Sequence, residues 1–148
     1  AVNLKKGQFM APEDMAGAVE KATAAGGDKL LLTERGTSFG YHNLVVDMRG
    51  LAVLRGLGWP VVFDATHSVQ LPGAGGTHSG GERRFVPVLA RAAAAAGIDG
   101  LFVEVAVRPD AAKSDASNSL ALDDLPALLE AVKRIHAASG EVGEWEGV

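Results

Sequence analysis

Cysteine is absent from the 148 residues. The chain therefore offers no disulfide framework and no all-cysteine zinc site. Positive charge is scarce as well, with 14 Lys and Arg against 18 Asp and Glu, and the cations are scattered. A net charge of −4 without a basic cluster argues against a nucleic-acid or anionic-membrane partner. No apolar run approaches the ~18 residues of a membrane span. The N-terminus lacks the charged-then-apolar pattern of a secretory signal. The expectation from these absences is a soluble, cytoplasmic protein. Nucleotide loops are missing too. The Rossmann fingerprint does not follow the first β-rich run, where the chain reads Lys5-Lys6-Gly7-Gln8-Phe9, and no Walker A loop occurs. No nucleotide cofactor is expected.

Apolar residues make up 47% of the chain and charged residues 22%, a globular composition long enough for one domain with a real core. One pattern occurs four times: a β-rich run, a Gly-rich or polar loop, then an amphipathic helical segment. The β-rich runs are Val2–Lys5, Lys29–Arg35, Val61–His67 and Leu101–Ala106. Their continuously apolar centres suit strands of a parallel sheet buried on both faces. A first helix is predicted from Pro12-Glu13-Asp14 to Gly26-Gly27, and a second over Leu44–Leu57. A third runs from near Gly81 through the alanines to Gly97. A fourth starts at Asp123-Asp124 and carries Leu125, Leu128, Leu129, Val132 and Ile135. The acidic tail from Ser139, despite Trp145, reads as solvated or frayed. Strand starts recur at about the ~31 residues that a (β/α)₈ barrel spends on each unit. An open four-stranded α/β sheet and half of a barrel both remain possible on this evidence.

Parallel α/β folds gather function at the carboxyl ends of their strands. Here those ends carry Lys5-Lys6, Thr33-Glu34-Arg35-Gly36, Asp64-Ala65-Thr66-His67 and Glu104. Lys5 and Arg35 suit phosphate and carboxylate. His67 and Glu104, with Asp115 in the following loop, form a mixed nitrogen and oxygen set that suits Mn, Fe or Zn, or acid–base work. Plain readings stand beside these: a solvated lysine pair, an arginine paired to a nearby acid, a strand-end histidine, a loop acid. Glu104 interrupts an apolar run, and a carboxylate there calls for a partner. His42, His78 and His136 are expected at surface or loop positions. The Gly-rich stretch from Gln70 to Gly81 is either a lid near a phosphate or a flexible connector.

At these motifs the chain resembles the 3-deoxy-D-manno-octulosonate 8-phosphate synthases of the phosphoenolpyruvate-condensing barrel superfamily. The resemblance rests on five stretches: Val2 to Phe9, Thr33 to Gly36, Phe39 to Asp47, Phe63 to Gly73, and Ser114-Asp115-Ala116. A sister synthase making a deoxy-heptulosonate phosphate would be expected to read Pro-Ser-His where this chain has Ala65-Thr66-His67.

The resemblance implies a TIM (β/α)₈ barrel of which residues 1–148 supply the last four units, the first four lying outside the chain. It implies a transferase that condenses phosphoenolpyruvate with arabinose 5-phosphate and water, for lipopolysaccharide synthesis, and a homo-oligomer, a tetramer. Lys5, His67 and Asp115 would be catalytic. Lys5, Lys6, Arg35, His67 and Gln70 would bind substrate, and His67, Glu104 and Asp115 would hold a divalent metal. A fourth ligand would come from the absent half. The wording from Lys113 to Asn118 is closer to metal-dependent than to metal-independent members. Alternatives are a related synthase of the deoxy-heptulosonate or sialic-acid type, or a non-catalytic half-barrel.

Overall fold

The computed structural model describes residues 1–74 and 80–141. His78, in the middle of the expected lid, and Trp145, in the tail, lie outside the described residues. The first unit is β1 (Val2–Lys5) and α1 (Met15–Ala24). The second is β2 (Leu30–Glu34), a small ribbon of β3 (Thr37–Ser38) and β4 (Leu44–Val45), and α2 (Arg49–Arg55). The third is β5 (Val61–Asp64), a second ribbon of β6 (Gln70–Leu71) and β7 (Gly80–Gly81), and α3 (Val86–Ala95). The fourth is β8 (Gly100–Phe102), β9 (Val105–Ala106), β10 (Leu120–Ala121) and α4 (Leu125–Glu141).

The four main strands form one sheet in the order β1-β2-β5-β8, with every neighbouring pair parallel. Their carboxyl ends therefore lie along one side. The register pairs Lys5 with Thr33, Glu34 with Phe63, and Asp64 with Phe102. Alternation then divides the side chains between two faces. One face carries Leu32, Val61 and Phe63, which cluster with Met15, Leu51, Leu54, Val86, Ala90, Ala93 and Leu128 from the four helices. The fully buried alanines of α3 let that helix lie close to its neighbours. On the opposite face, Leu31 and Val62 are only half-buried and Phe102 is exposed.

Local chemistry moved four boundaries. α2 begins at Arg49, five residues later than its apolar spacing suggested. Val45 pairs with Thr37 in the ribbon, and Asp47 Oδ1 accepts the Arg49 backbone N–H at 3.0 Å, satisfying a donor at the first helical residue. α3 begins at Val86 rather than near Gly81, because Gly80 and Gly81 pair with Leu71 and Gln70. The expected strand Leu101–Ala106 is cut in two. The Thr66 hydroxyl takes the Glu104 N–H at 2.7 Å, and the Glu104 carbonyl accepts from Leu120 at 2.9 Å, which redirects the chain to β10. The tail from Ser139 keeps helical form to Glu141, with Ser139 Oγ on the Ile135 carbonyl at 2.9 Å. On α4, Leu128 is buried as its spacing implies, but Leu129 is exposed.

A buried polar knot joins β1 to the turn after β2. Lys6 is 1% exposed, and its Nζ lies 3.4 Å from Glu34 Oε1. The ammonium donates to Thr37 Oγ1 at 3.0 Å and to the Met10 and Gly36 carbonyls at 3.2 Å each. Glu34 Oε1 in turn accepts the backbone N–H groups of Arg35 and Gly36 at 2.9 and 2.6 Å. Removing one partner of such a pair strands the other charge, at ~3–5 kcal/mol. Lys6→Met is expected to cost that much in urea unfolding of the full-length protein. Adding Glu34→Gln should recover part of the loss. A Lys6→Met midpoint equal to wild type would show that the knot carries no stability.

Candidate active site

Asp64 ends β5 with its carboxylate fully buried. Its Oδ2 takes Lys5 Nζ at 2.6 Å and His67 Nδ1 at 2.7 Å, and its Oδ1 accepts the His67 backbone N–H at 2.9 Å. Burial alone works to raise the Asp64 pKa. The hydrogen bonds from His67 and Lys5 outweigh that and hold the carboxyl below its ordinary value. Lys5 also stands over the Phe102 ring, 4.6 Å from its centroid.

The Asp64 contact orients the imidazole. A carboxylate only accepts, so Nδ1 carries a hydrogen, and in the neutral ring the lone pair sits on Nε2. Nε2 lies 3.5 Å from Glu104 Oε1 and 4.0 Å from Asp115 Oδ1. One ligand atom from each of His67, Glu104 and Asp115 falls within 4.8 Å of the others. Donors held ~2.0–2.2 Å from a common ion lie ~3–3.5 Å apart at tetrahedral or octahedral angles. The spacing is therefore a little loose but compatible. A lone pair and two carboxylates converging in this way repel one another, and a divalent cation resolves that repulsion. The donor set fits such an ion. The carboxylate behind the imidazole is the outer-shell arrangement that metal-binding histidines use.

Arg35 reaches the same side from the end of β2. Its Nη2 donates to the His67 carbonyl at 3.0 Å and to Gln70 Oε1 at 2.6 Å. Its Nε is buried and has no partner among the described residues. Burial lowers its pKa, opposed by Asp64, Asp115 and Glu34. The structure thus brings Lys5, Arg35, His67, Gln70, Glu104 and Asp115 together at the carboxyl end of the sheet. It does not bring Lys6 there. One residue along a strand reverses the side chain, so Lys6 points into the knot with Glu34, where its ammonium is already surrounded by acceptors. His42 and His136 are exposed.

Several partners escaped the sequence reading. Asp64 behind His67 and Thr66 under Glu104 are two. Asn118 and Arg83, which shape the loop bearing Asp115, are the others. Asp115 has φ of 51°, the left-handed region. The Asn118 N–H closes the turn onto the Asp115 carbonyl at 2.9 Å. Arg83 braces the loop through Asp110 at 2.9 Å and the Ala116 carbonyl. Asn118 is buried, and its Oδ1 would stand 1.3 Å from a Cβ placed on Gly81. Only glycine leaves room there. The repeated Gly80-Gly81 was a visible signal, but it read as part of a lid or a connector rather than as a close approach.

With this geometry in hand, comparison with known proteins gives a direct answer. The sequence model described as the DAHP synthetase I family matches residues 1–139. The chain belongs to the DAHP synthetase I family. Its similar relatives include the 2-dehydro-3-deoxyphosphooctonate aldolase of Syntrophotalea carbinolica, 63% identical over 92% of this chain and 49% of that protein. The protein of that name from Nitratidesulfovibrio vulgaris strain DP4 is 67% identical over 87% of this chain and 47% of its own length. The one from Geobacter sulfurreducens is 60% identical over 92% and 50%. The chain spans about half the length of the curated relatives it matches. Within this DAHP synthetase I chain, no described helix is long and apolar enough to cross a membrane.

The contact between Gly81 and Asn118 is directly testable. Gly81→Ala is expected to cost ~1–3 kcal/mol, as other overpacked sites do. Adding Asn118→Ala should relieve most of that cost. Thermal unfolding of the two variants in the full-length protein measures it, and equal midpoints for Gly81→Ala and wild type would show that Asn118 moves aside freely.

Proposed function

We propose that the protein carrying this chain condenses phosphoenolpyruvate with D-arabinose 5-phosphate and water. The products are 3-deoxy-D-manno-octulosonate 8-phosphate and phosphate, in the service of lipopolysaccharide synthesis. The observation that carries this reading is the pairing, at one mouth, of two cations on separate strands with a His/Glu/Asp cluster. The names of the relatives agree with it. In this reading residues 1–148 supply the last four units of a (β/α)₈ barrel. The open edges β1 and β8 and the incompletely buried face then meet the other four. Lys5 and Arg35 hold the phosphate and carboxylate of phosphoenolpyruvate. Lys5 offers an ammonium, and the Arg35 guanidinium can engage two oxygens at once. His67, Glu104 and Asp115 hold one divalent ion, Mn, Fe or Zn, with a further ligand from outside this chain. When bound, such an ion supplies Lewis-acid polarisation of a carbonyl or activation of a water.

Asp64 keeps the imidazole in the tautomer that offers Nε2, and it shares Lys5 with the incoming anion. Asp115 keeps a second carboxylate oxygen that can take up a proton from the attacking water, and His67 serves the reaction by holding the ion through Nε2. The reading places the protein in the cytoplasm as a homo-oligomer, a tetramer. Phosphate release by the full-length protein should be fast with arabinose 5-phosphate and negligible with erythrose 4-phosphate. The reverse preference would move the protein to a heptulosonate-forming activity.

Exhaustive chelation should abolish turnover, and Mn²⁺ should restore it. His67→Ala should lose both metal and activity. Lys5→Ala should keep the metal but raise the KM for phosphoenolpyruvate about 10–100-fold, the loss of one charge-assisted contact worth ~1.5–3 kcal/mol. Undiminished turnover with metal content near zero would show that the cluster serves only in proton transfer or positioning.

A further inference from the structure

Gln70 stands between the two halves of the site. Its Oε1 accepts from Arg35 Nη2 at 2.6 Å, and its Nε2 donates to Asp115 Oδ1 at 2.8 Å. The chemistry of the neighbours dictates this orientation of the amide. A guanidinium has only donors and a carboxylate only acceptors, so the reversed amide would face like against like at both ends. The chain Arg35 to Gln70 to Asp115 is therefore polar in one direction, and each bond polarises the next.

The bridge joins side chains that belong to different tasks. Arg35 comes from the end of β2, and its buried Nε has no partner among the described residues. Asp115 comes from the loop between β9 and β10. Its other side-chain hydrogen-bond donor among the described residues is Asn118 Nδ2, at 3.4 Å, a much weaker contact. Gln70 is thus the principal donor fixing the Asp115 carboxylate, and its own position is fixed by Arg35. A shift of the guanidinium toward an anion must be felt at Asp115, because the amide between them is rigid.

We propose that Gln70 is a positioning residue that couples occupancy of the Arg35 anion subsite to the cation affinity of His67, Glu104 and Asp115. This rests on the functional reading given above. Coupling of this kind is reciprocal: whatever factor the anion adds to cation affinity, the cation adds to anion affinity.

The test measures Mn²⁺ binding to the metal-stripped, full-length protein by electron paramagnetic resonance, with and without phosphoenolpyruvate and with no sugar phosphate present. In wild type, phosphoenolpyruvate should tighten Mn²⁺ by ~5-fold or more, within the usual range of coupling between sites. In Gln70→Leu, Mn²⁺ alone should bind ~10-fold more weakly, as for other lost outer-shell partners. The coupling factor should fall to about one while phosphoenolpyruvate still binds. Gln70→Glu keeps an acceptor for Arg35 but puts a carboxylate against Asp115, and it should be uncoupled as well. Gln70 is half-buried, so both variants are expected to keep the wild-type far-ultraviolet circular dichroism. A wild-type coupling factor in either folded variant would overturn the proposal, as would the absence of coupling in wild type. If wild type binds no Mn²⁺ at all, the metal reading fails first, before any variant is made, and the coupling fails with it.

Discussion

One buried carboxylate organises the carboxyl side of the sheet. Asp64 has no access to water, and an unpaired charge in such a place is prohibitively costly. It therefore demands cations and N–H donors, and it draws them from two directions. Lys5 reaches it from β1, two strands away, and strands ~4.8 Å apart put that span at ~10 Å, within the compass of a lysine and an aspartate together. His67 folds back onto it through both backbone and ring. Satisfying Asp64 thus sets the position of a lysine and the tautomer of a histidine in one stroke. The rest of the site is built on those two side chains.

The segment from Asp64 to Gln70 extends that control to all three members of the His/Glu/Asp cluster. Asp64 holds the His67 ring, Thr66 holds the Glu104 backbone, and Gln70 holds the Asp115 carboxylate. Three groups distant in sequence are referred to one short stretch at the end of one central strand. Central strands are paired on both sides, so this stretch stands on the least deformable part of the sheet. Precision at a reacting centre comes from such support, since misplacement by an ångström is costly.

The sheet was legible in the sequence because its signal is local. Leu30-Leu31-Leu32 and Val61-Val62-Phe63 are continuous apolar runs, and strands buried on both faces are written that way. The polar residues at strand ends were legible for a topological reason, since parallel strands deliver their last residues to one side. Boundaries decided by a single side chain were not legible. Nothing in Val103-Glu104-Val105 says that a threonine 38 residues earlier will take the Glu104 N–H, and nothing near Leu44 says that Asp47 will take the Arg49 N–H and the helix start there. Lys6 shows the limit most plainly. Lys5 and Lys6 are alike in type and adjacent in sequence, yet pleating sends one to the mouth and the other into a cage of carbonyls. Asn118 was invisible for a related reason. Its importance lies in where its side chain ends, beneath a glycine on another strand.

That last contact constrains two positions unequally. With Asn118 placed as it is, a Cβ at 81 collides with its Oδ1. With Gly at 81, residue 118 may still be exchanged for a smaller side chain without steric penalty. Change along a lineage can therefore proceed in one order only. Asn118 must shrink first, and only then does position 81 open to other residues. Gly81 is thus held in place by a buried side chain 37 residues further along the chain.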